Sequence, residues 1–301
     1  MRLITRSDFD GLACSSLLES LGLIDDWLFV HPKDIQDGLI EATKNDIVAN
    51  VPYIKGCGLW FDHHSSEDER LGTDFKFEGA SKHAPSCAHV IYDYYGGAEK
   101  LGKFAEMIKY VDKMDSADLS IDEIKNPSGW VLLGFITDPR TGLGRIHQFT
   151  ISNFDLMKKL SHSTLSKPIE EILALSDVKE RVDVYLEQHN LFIEMVKKHA
   201  KIEGKAIFLD ARNMEQIHTG NRFLLYTLFP EQNISVWVVD GKKKVNVVIT
   251  VGYSIINKTA TVDVGSLMLK YGGGGHKVVG TCQVAYEDAD RIVGEIIAAV
   301  R

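Results

Sequence analysis

Along the first third of the chain, short apolar runs alternate with stretches whose apolar residues recur at helical spacing. Leu3-Ile4-Thr5-Arg6 is a β-prone run. Leu12, Leu17, Leu18 and Leu21 then mark a helix, with the small residues Ala13, Cys14, Ser15 and Ser16 between them. Residues 27–31 read as a second strand, 35–45 as an amphipathic helix, 46–50 as a third strand and 58–62 as a fourth. Strands alternating with helices at this spacing imply a doubly wound, mainly parallel sheet. A helix opens at Pro85, where helices commonly begin, and runs through Tyr94 to Gly96-Gly97. Another extends from Ala98 towards Asp112, with Leu101, Phe104, Ile108 and Val111 on one face, and residues 130–136 form a further apolar stretch. Residues 167–201 are rich in Glu and Lys and keep apolar residues at helical spacing, which predicts a long helix interrupted near Ser176-Asp177.

The texture changes after Gly204. Residues 205–210, 234–240 and 245–253 are β-rich, helices are expected over 222–229 and 263–271, and 289–300 is a last amphipathic helix. The pattern therefore predicts an α/β protein with a doubly wound N-terminal domain (1–165), a helical linker (166–203) and a smaller C-terminal α/β domain (204–301). A length of 301 residues suits two domains, and 45% hydrophobic with 25% charged residues is ordinary globular composition.

Charge narrows the partners. A formal charge of −8 argues against charge-driven binding to long DNA, while leaving room for a short, locally basic groove. Cys14, Cys57, Cys87 and Cys282 are scattered with no C-x-x-C pair, which reads as buried thiols in a reducing cytosol. The chain enters a strand within three residues, and no apolar run approaches the roughly 18 residues a bilayer span needs. The expectation is a cytoplasmic protein with no membrane partner.

The candidate chemistry lies where strands end, which is where ligands sit in open α/β sheets. Ser7-Asp8-Phe9-Asp10-Gly11 puts two carboxylates in a strand-to-helix turn. One helix cap needs one Asp, so the second is the informative residue. The third strand ends in Asn50. The fourth ends in Asp62-His63-His64, with the hydroxyls of Ser65 and Ser66 behind them. Asp and His suit Mn²⁺, Mg²⁺, Fe²⁺ or Zn²⁺. Asp112 follows a buried-looking stretch, as a further metal-directed carboxylate would, whereas Asp118 reads as a solvated loop residue. Arg140 and Arg145 lie in a Gly- and Pro-shaped loop that suits a phosphate clamp or an ordinary surface. Gly272-Gly273-Gly274-Gly275-His276 removes four successive side chains, so backbone amides can approach an anion.

D-x-D-G, D-H-H and G-G-G-G-H in this order resemble the DHH phosphoesterase superfamily over essentially the whole chain, the second half being similar to the DHH-associated domain. The closest character is that of bacterial exopolyphosphatase-like and oligoribonuclease-like proteins. The resemblance implies a pair of metal ions, usually Mn²⁺, bridged by a water that attacks phosphorus. It implies Asp8, Asp10 and His63 as ligands, Asp62 as support, and His64 facing the scissile phosphate. Asp112 would be the fourth ligand, with Asp115 as rival and Asp138 as outside candidate. Gly272, Gly273, Gly274, Gly275 and His276 would hold the substrate's distal phosphate or base.

The chain departs from the family pattern in two respects. Arg6 and Ile4 stand where a His is frequent, and Asn50 stands where a bridging Asp is usual. A neutral amide does not balance two cations, so one or two ions are expected, with Arg6 as an electrostatic substitute at the catalytic centre. The expected activity is metal-dependent hydrolysis of phosphodiester or terminal phosphate bonds in short oligonucleotides or nucleotides. The alternatives are an exopolyphosphatase acting on inorganic polyphosphate and a catalytically degenerate phosphate- or nucleotide-binding protein. Assembly as a homodimer is left open.

Overall fold

The structure, a computed structural model, describes residues 1–64, 70–72, 74–241 and 244–301, so Ser65 and Ser66 lie outside the described residues. The chain gathers into two compact units: Met1–Leu119 with Pro127–Val184, and Ser120–Asn126 with Tyr185–Arg301.

The first unit is built on β1 (Arg2–Thr5), β2 (Asp26–Phe29), β3 (Asp46–Ala49), β4 (Leu59–Asp62) and β5 (Gly79–Ser81), in the order β2-β1-β3-β4-β5. Every neighbouring pair is parallel. A parallel sheet is covered on both faces, and β3 is accordingly buried at all four positions. Ile4, Val48, Val51, Ile54 and Trp60 pack together on one face, while their neighbours Leu3, Ile47 and Phe61 are fully buried on the other. The strand order reverses at β1. The crevice that such a reversal opens lies beyond the carboxyl ends of β1 and β3.

The expected helix over 35–45 is not formed. A short helix, Pro32–Gln36, ends in a Schellman motif: Gly38 adopts φ +71°, its N–H donates to the Ile35 carbonyl, and the Leu39 N–H donates to the Asp34 carbonyl. Ile40 and Ala42 still reach the sheet, which is why the apolar spacing imitated a helix. The segment expected as one helix from Ala98 is divided into Gly97–Leu101, a 3-10 turn at Gly102–Phe104 and Ala105–Asp115. Residues 130–136 lie in the helix Gly129–Thr137, buried from Trp130 to Thr137. The long helical region is split into Ile169–Leu173 and Ser176–His199, close to the anticipated break.

The second unit holds β6 (Lys201–Glu203), β7 (Ala206–Asp210), β8 (Ile234–Asp240), β9 (Val247–Tyr253), β10 (Gly274–His276) and β11 (Val279–Val284), in the order β10-β11-β9-β8-β7-β6. Only β7 and β8 pair in parallel. Helices Val264–Leu269 and Tyr286–Val300 supply Val264, Met268, Val293 and Ile296 to a core shared with Val236, Val238, Ile249 and Val251. The glycine run is not only a connector, because Gly274 and Gly275 are strand residues. The unit also includes the short helix Ile121–Lys125, closed by a capping box between Ser120 and Glu123. The buried Asn221 amide donates to the Ile124 carbonyl at 2.9 Å, across 97 residues of sequence. Among the described residues, no helix is long and apolar enough to cross a membrane.

Candidate metal centre

Asp8 and Asp10 sit at the junction of β1 with the helix Phe9–Ser20. The helix starts hard against the strand end: a Cβ at Gly11 would lie 2.0 Å from the Arg6 carbonyl oxygen, so this position tolerates no side chain. Asp8 caps the helix, its Oδ1 accepting from the Gly11 N–H at 3.0 Å. The same oxygen accepts from Asn50 Nδ2 at 3.2 Å, and Arg6 Nε lies 3.0 Å from Asp8 Oδ2. Asp8 Oδ1 is thus engaged by two N–H donors, while Oδ2 faces a guanidinium as an ion pair.

Asp10 is held differently. It is 2% exposed, and its carboxylate rests on the N-terminus of the helix Cys87–Tyr94. The Cys87 N–H donates to Oδ2 at 2.9 Å and the Ala88 N–H to Oδ1 at 2.8 Å. Burial, followed by the charges of Asp115 and Asp8, pushes the Asp10 carboxyl well above the usual range despite these two bonds. Asp115, at the end of the helix Ala105–Asp115, is raised as well, first by burial and then by Asp8.

β4 delivers the third side. Asp62 is fully buried, and its Oδ1 accepts from His64 Nδ1 at 2.7 Å. Burial lowers the His64 pKa, but the bond to Asp62 and the charges of Asp62, Asp115 and Asp10 outweigh it and raise the net value. His63 turns the other way. Its Nδ1 faces the Ala84 carbonyl at 3.2 Å, and a carbonyl can only accept, so Nδ1 carries the proton. Nε2 then presents a lone pair, 3.7 Å from Asp10 Oδ2 and 3.3 Å from Asp115 Oδ2. Burial and the neighbouring His64 hold the His63 pKa below its ordinary value, which favours the neutral ring.

Asp10, His63 and Asp115 each offer a ligand atom, all within 4.8 Å of one another. His63 Nε2, Asn50 Oδ1 and Asp62 Oδ2 are buried with no hydrogen-bond partner among the described residues. A lone pair facing two carboxylates is repulsive unless a cation or a carboxyl proton lies between them, and the raised Asp10 and Asp115 carboxyls take up a proton more readily while no cation is bound. The donor set, two carboxylates and an imidazole, suits a divalent metal.

Whole-chain comparisons bear on what such a centre belongs to. Neither a family model nor a curated protein matches the chain. Among solved structures, the pGpG-specific phosphodiesterase PggH from Vibrio cholerae is 44% identical, with a TM-score of 0.85 over 99% of this chain and 98% of that one. The chain belongs to the DHH phosphoesterase family. RecJ from Thermus thermophilus in complex with Mn²⁺ shares the fold at 16% identity and a TM-score of 0.53, over 99% of this chain and 51% of that one. A manganese-bound exonuclease RecJ does so at 15% identity and a TM-score of 0.51, over 99% and 89%.

In this DHH protein the structure gathers Asp10, His63 and Asp115, with Asp8, Asn50 and Arg6 beside them through Asp8. Asp112 is not in that cluster. Its Oδ1 accepts from Ser86 Oγ at 2.6 Å and its Oδ2 from His89 Nδ1 at 2.6 Å. Asp138 caps the turn Pro139–Thr141 and pairs with Arg140, whose Nε is 2.8 Å from Asp138 Oδ1. Arg140 is electrostatically coupled to Asp8 and Asp115 as well. Arg145 is exposed and folds over Gly142. Residues 272–276 lie in the second unit. Sequence reasoning missed Ser86, His89 and the Cys87 and Ala88 amides. The available signal was Ser86 after Pro85, a serine where an N-cap belongs.

Proposed function

We propose that this chain is a metal-dependent phosphodiesterase of short oligonucleotides, with the linear dinucleotide pGpG, on which PggH is named as acting, as its first candidate substrate. The observation that carries the reading is the convergence of His63 Nε2, buried without a hydrogen-bond partner among the described residues, with the carboxylates of Asp10 and Asp115. Those three side chains would hold one divalent cation, and Mn²⁺ is the first choice for their mixed oxygen and imidazole donors. A bound cation supplies Lewis acidity, withdrawing charge from the phosphate and acidifying water.

The remaining roles fall to the chain's own groups. Asp62 holds the Nδ1 proton of His64 and orients the ring, and a protonated His64 donates towards phosphate oxygen. Asp8, a ligand by resemblance, is paired with Arg6 and bonded by Asn50, so it would join a bound cation only by loosening the Arg6 pair. Arg6 stands as a fixed positive charge at the edge of the centre. Arg140, which feels the charges of Asp8 and Asp115, would attract the substrate's phosphates. In the second unit, the Gly272 and Gly273 N–H groups already donate to the Leu269 and Met268 carbonyls, so the unobstructed Gly274 and the exposed His276 would be its contribution to substrate binding. Four free, buried cysteines accord with a reducing cytosol.

The test is hydrolysis of pGpG, other linear dinucleotides, longer RNA, cyclic dinucleotides and polyphosphate, each with Mn²⁺, Mg²⁺, Zn²⁺ or Fe²⁺. Turnover of linear dinucleotides well above all others is expected. Preferential release of phosphate from polyphosphate would replace this reading with the exopolyphosphatase one. Tight metal binding with no turnover of any substrate would leave a binding protein.

A further inference from the structure

The metal-directed carboxylate of Asp10 takes one long bond from its own helix, the Cys14 thiol donating to Oδ1 at 3.8 Å, and two short ones from the first amides of another, and the way that second helix is closed accounts for every N–H in its first turn. The helix Cys87–Tyr94 begins after Ser86, which has the extended backbone of a cap (φ −152°, ψ 161°). Ser86 Oγ accepts from the His89 N–H at 3.0 Å, and the Ser86 carbonyl accepts from the Val90 N–H at 3.4 Å. The N–H groups of Cys87 and Ala88 remain, and both go to Asp10. If Ser86 turns, those two donors turn with it.

Ser86 is itself clamped. Its hydroxyl donates to Asp112 Oδ1 at 2.6 Å, while the other Asp112 oxygen accepts from His89 Nδ1 at 2.6 Å. His89 lies one turn along the same helix, so Asp112 grips the first turn at two points. The chain of charges continues outward: His89 Nε2 lies 3.7 Å from Asp93 Oδ1, and Lys82 Nζ donates to Asp93 Oδ2 at 2.8 Å. On the inner side, the Cys87 thiol accepts from the Asn50 N–H at 3.2 Å and donates to the Phe61 carbonyl at 3.2 Å, tying the same turn to the ends of β3 and β4.

We infer that Ser86, Asp112 and His89 are positioning residues, a clamp that sets the Cys87 and Ala88 amides and through them the orientation of Asp10 in the metal centre. The inference rests on the reading of Asp10, His63 and Asp115 as ligands. It gives Asp112 work without making it a ligand. Outer-sphere partners of this kind are worth about 10- to 100-fold in metal affinity.

Calorimetric titration of the full-length chain with Mn²⁺ alone tests it, beside a thermal melt of each variant. Ser86→Ala and Asp112→Asn are each expected to weaken Mn²⁺ binding about tenfold. Ser86→Thr, which keeps the hydroxyl, is expected to restore affinity to within twofold. Ser152→Ala is the control. Ser152 caps the helix Asn153–Thr164 by accepting from the Asp155 N–H, so its loss lowers the melting temperature comparably without touching Asp10. Mn²⁺ affinity should be unchanged there. Unaltered affinity in both Ser86→Ala and Asp112→Asn would overturn the clamp, as would an equal loss in Ser152→Ala. Abolition of binding by Asp112→Asn beside a normal Ser86→Ala would make Asp112 a ligand and likewise overturn it. Asp10→Asn separates the two readings. Intact binding in that variant removes the metal assignment itself, whereas abolished binding beside an inert Ser86→Ala removes only the clamp.

Discussion

At the carboxyl ends of β1, β3 and β4, charged and polar side chains crowd into a buried space, and Thr5 Oγ1, Asn50 Oδ1, Asp62 Oδ2 and His63 Nε2 lack hydrogen-bond partners among the described residues. In the β10–β11 hairpin of the second unit the opposite holds, and the notable feature is missing side chains. The four glycines are not equivalent. Gly272 has φ +72°, and Gly275 has φ +154° with a Cβ that would lie 2.3 Å from the Val279 carbonyl oxygen. A Cβ on Gly273 would lie 2.3 Å from the Thr281 carbonyl oxygen. Gly274 alone has neither restraint: nothing lies within 4 Å of its would-be Cβ. The chain path therefore explains three of these glycines, and Gly274 is the one left for a ligand to explain. The first region is prepared by unsatisfied groups that a cation would satisfy, and the second by a single unfilled position.

The strongest way to break the contrast is at Asp10. Asp10→Asn should lower kcat by more than about a hundredfold, beyond what loss of an outer-sphere partner costs. It should also abolish the rise in melting temperature that Mn²⁺ gives the unaltered chain. A variant that still melts higher with Mn²⁺ would return the cluster to ordinary buried polarity. In the hairpin, Gly273→Ala and Gly275→Ala should each cost about 1–3 kcal/mol of stability through overpacking. Gly274→Val should leave the melting curve in place while raising KM about tenfold, roughly 1.4 kcal/mol of binding. If Gly274→Val instead melts early with an unchanged KM, the whole run is structural and the contrast disappears.

Asn50→Asp changes the charge of the first region. The new carboxylate would face Asp8 without the Nδ2 donor that now bonds it, so the metal-free variant should melt lower. Mn²⁺ should bind it more tightly and with higher stoichiometry, because added negative charge offsets repulsion between cations. Calorimetry showing one unchanged site would count against this.

The smallest effect lies at the amino ends of the same strands, where charge is paired rather than waiting. Arg2 Nε is 2.7 Å from Asp46 Oδ1, and Asp46 also accepts from the Thr43 N–H and hydroxyl. Burial works against the Asp46 carboxylate, but these donors hold its pKa below the ordinary value. A depressed carboxylate pKa adds stability above the unfolded value, near 3.9, and that stability is lost as pH falls through the folded value. Asp46→Asn should therefore cost about 1 kcal/mol at neutral pH, since Arg2 is a third exposed, and the gap should close below the ordinary aspartate range.

Much of this was legible beforehand, because strand ends announce themselves. Thr5, Asn50 and Asp62 each close an apolar run, and the reversal of strand order brings them to one crevice. Asp112 against Asp115 was not legible. They lie one turn apart on one helix, and only packing decides which reaches Asp10 and which reaches Ser86. The false helix over 35–45 had the same root: spacing gave the buried face, while Gly38 decided the path. The unequal glycines were hidden as well, since four identical letters conceal different backbone angles and neighbours.

The short helix Ile121–Lys125 has a consequence for how the molecule can be made. It is embedded in the stretch that otherwise builds the first unit, yet its buried Ile124 and the Asn221 bond belong to the second. No single cut of the chain separates the two units cleanly, and a fragment 185–301 would be born with a socket where that helix belongs. On the ribosome, the segment emerges early and must wait nearly a hundred residues for its partner, a long-range closure of the kind that slows folding.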